Sequence, residues 1–215
     1  DYVSERIRTD NTFYEIEQLE YQKELLVGTE GTILDVGSHI GTHAMYYATQ
    51  MFDKGNTGYN DVIGFECSAK VFEVLALNAN QYNNIQVFNV GLYGHNRKAK
   101  LYSGYEDNSG SNSVIPNNIV GEQVVVEEVN LVTLDYFLRV NKQLSIDKVR
   151  FIKFDIEGAE ANALLGCLHT LKTYRPLIYC ECHKSYQIEN ILSILHKFNY
   201  KVLNEINEHI YFKVM

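Results

Sequence analysis

Ile33-Leu34-Asp35-Val36-Gly37-Ser38-His39-Ile40-Gly41-Thr42-His43-Ala44 begins in a short apolar, β-rich segment, Thr32–Val36. It crosses two glycines and enters residues 41–51, which read as a helix. Gly37 permits a tight turn beside a ligand, and Gly41 permits close approach of the helix. The pattern is D-x-G-x-x-x-G, whereas a dinucleotide fingerprint is G-x-G-x-x-G. Asp35 stands where that fingerprint has its first glycine, and the later spacing is one residue longer. A carboxylate there repels a pyrophosphate and attracts a ligand carrying ammonium and sulfonium groups. The plain alternative is a strand–turn–helix junction with no ligand.

Outward from this turn the chain alternates between the two periodicities. Upstream, Phe13, Ile16, Leu19, Leu25 and Leu26 have helix-like spacing over 10–27. Downstream, 61–66 (DVIGFE) reads as a second buried strand. Ser68 then caps a helix with Val71, Phe72, Leu75 and Ala79 inward, and 85–90 is a third strand. This β-α-β-α-β order implies a parallel sheet with right-handed crossovers. Residues 98–102 and 123–129 read as strands around a polar stretch, 103–118, which is a functional or disordered loop. Next come a short helix at 132–140, a strand at 150–155, and a helix at 158–171 with Ala161, Leu164, Leu165 and Leu168 inward. A strand opened by proline comes after it at 176–181. Ile188, Ile191, Leu192 and Leu195 then mark an amphipathic helix, and 201–203 with 209–214 close the sheet as an antiparallel pair.

The length, 215 residues, suits one domain over 1–215, with a helical segment at 1–30 and a hairpin-and-loop insertion at 98–130. The net charge is −8, and the only basic cluster is the short run at 97–100, which disfavours a duplex nucleic-acid partner. Sixteen tyrosines are too many for the core and suit a ring-stacking surface such as a sugar site. Cys67, Cys167, Cys180 and Cys182 form no CxxC pair, which argues against zinc. Reduced thiols in a cytoplasmic protein are expected. No apolar run has membrane-spanning length, and no signal-peptide pattern is present. The chain begins at Asp1 rather than Met, which suggests a domain excised from a longer polypeptide.

The residues that carry chemistry cluster at predicted strand ends. Glu66 ends the second strand, where an acid can accept from both hydroxyls of a ribose. Asp155 and Glu157 end the strand at 150–155, and Glu181 and His183 end the next one. In an open α/β sheet that edge binds ligands, so these four should converge as catalytic residues. His183, Glu157 and Asp155 are the candidate bases for a reaction that releases a proton. For each of them the alternative is a capped loop or a structural ion pair. Asp155, Glu181 and His183 are also potential ligands for a divalent cation, Mn²⁺ or Mg²⁺, that would acidify an alcohol. His39 and His43 straddle the glycine turn, and their spacing reads as incidental.

Several of these pieces resemble the FkbM-type methyltransferases. They are ILDVGSHIGTHA at 33–44, IGFECSAKVFEVLALN at 63–78, VTLDYF at 132–137, FIKFDIEGAEANALLG at 151–166 and RPLIYCECH at 175–183. The block K-x-D-x-E-G-x-E, from Lys153 to Glu160, is the most specific. The resemblance implies a Rossmann-like class I methyltransferase fold, a mostly parallel seven-stranded sheet with helices on both faces. It implies S-adenosyl-L-methionine held by Asp35, Gly37, Gly41 and Glu66. Ser38, His39, Cys67 and Asp155, next to these residues or at the same sheet edge, are further candidates for the cofactor site. The resemblance further implies O-methylation of a hydroxyl on a small molecule or glycan sugar, such as the deoxyhexose rhamnose, often in proteins fused to glycosyltransferase domains. The sequence departs from the family at Ser38 and His39, where a small residue and Asn are usual, and at Cys67, where proline is usual. Neither departure removes a cofactor carboxylate. The alternatives are methylation of a natural product, RNA or protein, a cofactor-binding module without catalysis, and a nicotinamide-dependent oxidoreductase, which the glycine spacing disfavours.

Overall fold

The computed structural model describes residues 2–51, 61–104, 109–116, 123–144, 146–182, 185–206 and 208–215. In chain order, α1 (Tyr2–Asp10) and α2 (Ile16–Leu26) precede β1 (Thr32–Val36), α3 (Thr42–Gln50), β2 (Val62–Phe65), α4 (Ala69–Ala79) and β3 (Ile85–Phe88). A small sheet comes next, made of β4 (Gly91–Leu92), β5 (Arg97–Ser103) and β6 (Val124–Val132). The chain then runs through α5 (Leu134–Val140), β7 (Val149–Phe154), α6 (Glu160–Leu165), α7 (Leu168–Tyr174), β8 (Leu177–Glu181) and α8 (Ser185–Leu195). It ends in β9 (Tyr200–Ile206) and β10 (His209–Val214).

The main sheet has seven strands in the order β3-β2-β1-β7-β8-β10-β9, and only β10 runs against its neighbours. β1 and β7 are buried at every position. Strands apolar on both faces belong in the middle of a sheet covered on both sides. Leu34, Val36, Ile152, Phe154 and Ile178 face α6, α7 and α8 through Leu164, Leu171 and Ile191. Ile33, Phe151, Tyr179 and Tyr211 face α2 and α3 through Leu19, Leu26, Tyr46 and Tyr47. The chain leaves β1 towards β2 on one side and returns beside it as β7 on the other. This is a topological switch point, whose carboxyl ends form a ligand crevice. No helix among the described residues is long and apolar enough to cross a membrane.

Three expectations are corrected. The helix read over 158–171 is two helices, α6 and α7, broken at Gly166. A Cβ there would lie 2.2 Å from the Tyr93 carbonyl oxygen, so the backbones touch. The break shifts the helical phase. Ala163, Leu164, Cys167 and Leu171 point inward, while Leu165 and Leu168 are exposed. The helix-like spacing over 10–27 resolves into a turn and then α2, because Glu15 adopts the left-handed conformation at its start. α1 carries no buried residue, so it has no apolar periodicity to read. Ser68 does cap α4, accepting from the Val71 N–H, and Thr133 caps α5 in the same way. All four cysteines are free thiols.

Candidate active site

A cavity of about 300 Å³ opens above the carboxyl ends of β1, β2, β7 and β8. The turn after β1 forms its floor. Gly37 has φ +83°, and a Cβ would sit 1.8 Å from the Asp155 carbonyl oxygen, so only glycine fits. Gly41 does not line the cavity. It is left-handed at the start of α3, and its bare Cα faces Leu75 of α4, where a Cβ would come within 2.8 Å. Its role is packing that holds the turn. Ser38 lines the cavity, but its hydroxyl is used internally, donating to the Asp35 carbonyl at 2.8 Å.

Asp35 is not itself among the residues that line the cavity. It lies on the face of β1 opposite Val36, is 0% exposed and sits behind Lys153, which does line the cavity. Lys153, its register partner on β7, is 1% exposed and meets it at 3.1 Å. The same ammonium lies 3.2 Å from Asp155 Oδ2 and donates to the Gly37 carbonyl at 3.3 Å. Burial would push the Lys153 pKa down, but Asp155 and Asp35 together hold it well above its ordinary value. One buried cation thus ties the ends of β1 and β7 together.

Glu66 comes directly after β2 and lines the cavity. Its Oε2 accepts from the His39 N–H at 3.1 Å and its Oε1 from the Ser68 N–H at 2.8 Å. Each oxygen keeps a second lone pair, the arrangement that suits a vicinal diol. Burial pushes this carboxyl up to about 7, against the pull of the two backbone N–H groups and helped by Glu127 and Asp35. His39, left-handed at φ +49°, pairs through Nε2 with Ser109 Oγ at 2.9 Å. Burial lowers its pKa to about 4, so the ring is neutral at pH 7. Cys67 lines the wall beside Glu66, and burial keeps it a thiol. Part of the polar stretch at 103–118 reaches the site, with Ser109–Ser111 and Asn112 in the lining and Ser113 donating to the Glu157 carbonyl at 2.7 Å. Residues 105–108, 117 and 118 of that stretch lie outside the described residues.

Asp155, Glu157 and Glu181 converge, with one carboxylate oxygen of each within 4.8 Å of the others. Burial would raise the Asp155 carboxyl, yet Lys153 beside it and a hydrogen bond with Glu181 hold it well below the usual carboxylate range. Beneath them Glu160, 1% exposed, accepts from the Ile156 and Gly158 N–H groups and so braces the turn that presents Glu157. His183, the third member of the expected Asp155–Glu181–His183 ligand set, lies outside the described residues. Lys153 already supplies the positive charge that a cation would bring to Asp155. His39 and His43 diverge, with His43 Nε2 3.4 Å from Glu15 of the N-terminal segment.

Three contributors escape sequence reasoning. Lys153 left a signal, a lysine two residues before Asp155 in an otherwise apolar strand. Tyr14 and Glu15 also line the cavity, and nothing in their local sequence marks them.

A sheet of this order, with a glycine turn after its first strand and an acid after its second, defines the Rossmann-like class I methyltransferase fold. The chain belongs to the FkbM methyltransferase family, whose model, the methyltransferase FkbM domain, matches residues 35–202. Among solved structures, the FkbM methyltransferase from Methylobacillus flagellatus KT superposes with a TM-score of 0.55 at 18% identity, covering 85% of this chain and 43% of that one. This chain therefore spans less than half the length of that relative. Magnesium protoporphyrin IX methyltransferase from Synechocystis PCC 6803, solved with bound S-adenosyl-L-methionine, matches at TM-score 0.50 and 11% identity, covering 100% of this chain and 85% of its own. A precorrin-6y methyltransferase from Geobacter metallireducens GS-15 matches equally, TM-score 0.50 and 11% identity, over 91% of this chain and 85% of its own. At these identities the likeness is one of fold. No curated protein matches the sequence.

Proposed function

We propose that this chain transfers the methyl group of S-adenosyl-L-methionine to a hydroxyl oxygen of a glycan sugar, a deoxyhexose such as rhamnose being the kind of acceptor it would take. The observation that carries this reading is the charge pattern of one cavity. Glu66 stands at one end and Asp155, Glu157 and Glu181 at the other, and Lys153, the sole lysine among the described residues of the lining, is already paired. Such a cavity favours a cationic cofactor and a neutral polyhydroxylated acceptor, and it repels phosphates.

The residues fit the cofactor at Glu66, whose two remaining lone pairs would take the ribose hydroxyls, and at the turn of Gly37 to His39 beside it. When bound, S-adenosyl-L-methionine supplies an electrophilic methyl carbon on a sulfonium. The acceptor oxygen forms the new O–C bond as the C–S pair returns to sulfur, and the hydroxyl proton must leave. Asp155, pinned by Lys153, is a weak base and instead orients the hydroxyl through its hydrogen-bonding oxygens. Glu157, presented on a left-handed backbone at φ +54°, is placed to receive the proton. Fixing both reactants in line is the larger part of what the protein contributes.

Calorimetric titration with S-adenosyl-L-methionine, S-adenosylhomocysteine and NADH tests the cofactor, and mass gain on methyl glycosides, with EDTA or with Mn²⁺, tests the acceptor. Binding of the first two ligands and not NADH, followed by a single methyl added to a glycoside, is expected. Binding without transfer to any sugar, but with transfer to RNA or protein, would overturn the acceptor.

A further inference from the structure

The strongest feature left unused lies outside the family-matched residues 35–202. Tyr14 and Glu15, in the turn between α1 and α2, reach into the same cavity as Asp155 and Glu181. Among the described residues, six non-glycine residues have left-handed backbone, and three of them, Glu15, His39 and Glu157, line this cavity. Strain of that kind is retained where a site requires the resulting side-chain direction. Glu15, at φ +55°, turns its carboxylate to His43 Nε2 at 3.4 Å, and this contact anchors the turn to α3. Burial would raise the Glu15 pKa, but the His43 ring beside the group lowers it, so Glu15 is a carboxylate at pH 7. Tyr14 is half-buried beside it, and the Tyr2 ring meets it edge-on at 6.3 Å, which makes a small aromatic wall at the rim.

We infer that Tyr14 and Glu15 form the acceptor subsite, the tyrosine ring stacking on the apolar face of a sugar and the carboxylate accepting from one of its hydroxyls. This rests on the sugar-methylation reading and deepens it. Glu66 follows β2, on the other side of β1 from β7 and β8, which carry Asp155 and Glu181 at their ends, and this strand order separates the acceptor's contacts from the cofactor's. The subsite also selects by charge, since Glu15 adds a carboxylate to a lining that already holds three at this end. A neutral glycoside is accepted and a uronic acid refused. The segment lies outside the residues that the family model matches, so the family motifs do not dictate it.

The test compares Glu15→Gln, Tyr14→Ala and Tyr14→Phe with the unsubstituted chain. It measures KM and kcat for methyl rhamnopyranoside and methyl glucuronide, the Kd of S-adenosylhomocysteine, and the melting temperature as a check on folding. E15Q and Y14A are expected to raise KM for the neutral glycoside about tenfold, the loss typical of one hydrogen bond to a charged group or one ring contact. The kcat and the S-adenosylhomocysteine Kd should stay within about threefold, and Y14F should behave as the parent, since it keeps the ring. E15Q should also narrow the preference for rhamnoside over glucuronide. An unchanged KM in both E15Q and Y14A, with turnover intact, overturns the subsite and leaves the sugar reading standing. A chain that binds S-adenosylhomocysteine but methylates neither glycoside overturns both.

Discussion

Lys153 illustrates how much of this site depends on single residues. It is a buried ammonium with two carboxylates and a carbonyl as partners, and it sets the ionisation of Asp155 and the spacing of two strand ends. Replacing it with methionine would leave Asp35 and Asp155 facing each other without a cation. Loss of a partner from a buried pair costs about 3–5 kcal/mol, so K153M should unfold at markedly lower urea concentration than the parent. A parent-like midpoint would mean that the pair is not worth what its burial implies. Glu66 gives a pH prediction. In the proposed role it must be ionised to accept from two ribose hydroxyls while already holding two N–H groups, and burial puts its pKa at about 7. Affinity for S-adenosylhomocysteine should therefore rise with pH through 7. Glu66→Gln should bind more weakly and lose the dependence, which titrations between pH 6 and 8 would show. Glu157→Gln should lower kcat about a hundredfold, as expected for removal of a general base, with cofactor affinity retained. Equal turnover in that variant assigns the proton to another group.

At the scale of elements, the turn between β1 and α3 is set by what lies against it. Gly37 is pressed onto the Asp155 carbonyl and Gly41 onto Leu75, so the β1 turn, the β7 end and α4 share one packing arrangement. Gly37→Ala would force β1 and β7 apart where both contribute to the cavity. The variant should fold, because the sheet's apolar faces are untouched, yet bind S-adenosylhomocysteine at least tenfold more weakly by calorimetry. Unchanged affinity would show that the turn can yield without disturbing the site. The same kind of close contact is found at Gly166, between α6 and α7. Apolar spacing predicts a continuous helix there, whereas the structure has two, with Gly166 between them so close to the Tyr93 carbonyl that no Cβ fits.

The molecule as a whole buries acids more readily than its surface charge suggests. Glu160 is almost fully enclosed, and burial lifts its carboxyl from 4.5 to about 7. The folded chain then binds this proton more tightly than the unfolded chain. Its contribution is fully present below pH 4.5 and is lost as pH rises to about 7, a change of roughly 3 kcal/mol. Glu66 acts in the same sense, and the buried neutral His39 in the opposite sense over a similar window. Asp155 and Glu15, whose pKa values are lowered, matter only at more acid pH, where their stabilisation is lost. Stability measured by denaturant should therefore fall between pH 4.5 and 7, and the fall should largely vanish in Glu160→Gln. A stability that rises over this range in the parent would overturn the account.

The sequence by itself determined the order of strands and helices, the parallel sheet, the glycine turn, and the acids at its carboxyl edge. Periodicity and strand-end position are local properties, and Glu66, Asp155, Glu157 and Glu181 needed nothing else to be noticed. Tertiary structure alone decided which way each acid points and what neutralises it. Asp35 stands in the motif as a ligand residue, and only the register of β1 against β7 reveals that Lys153 is its ion-pair partner. Tyr14 and Glu15 enter the site from the far end of the chain, through a left-handed turn and a contact with His43. Pairing between residues distant in sequence leaves no periodic trace, because it depends on how the layers stack rather than on the order of neighbours along the chain.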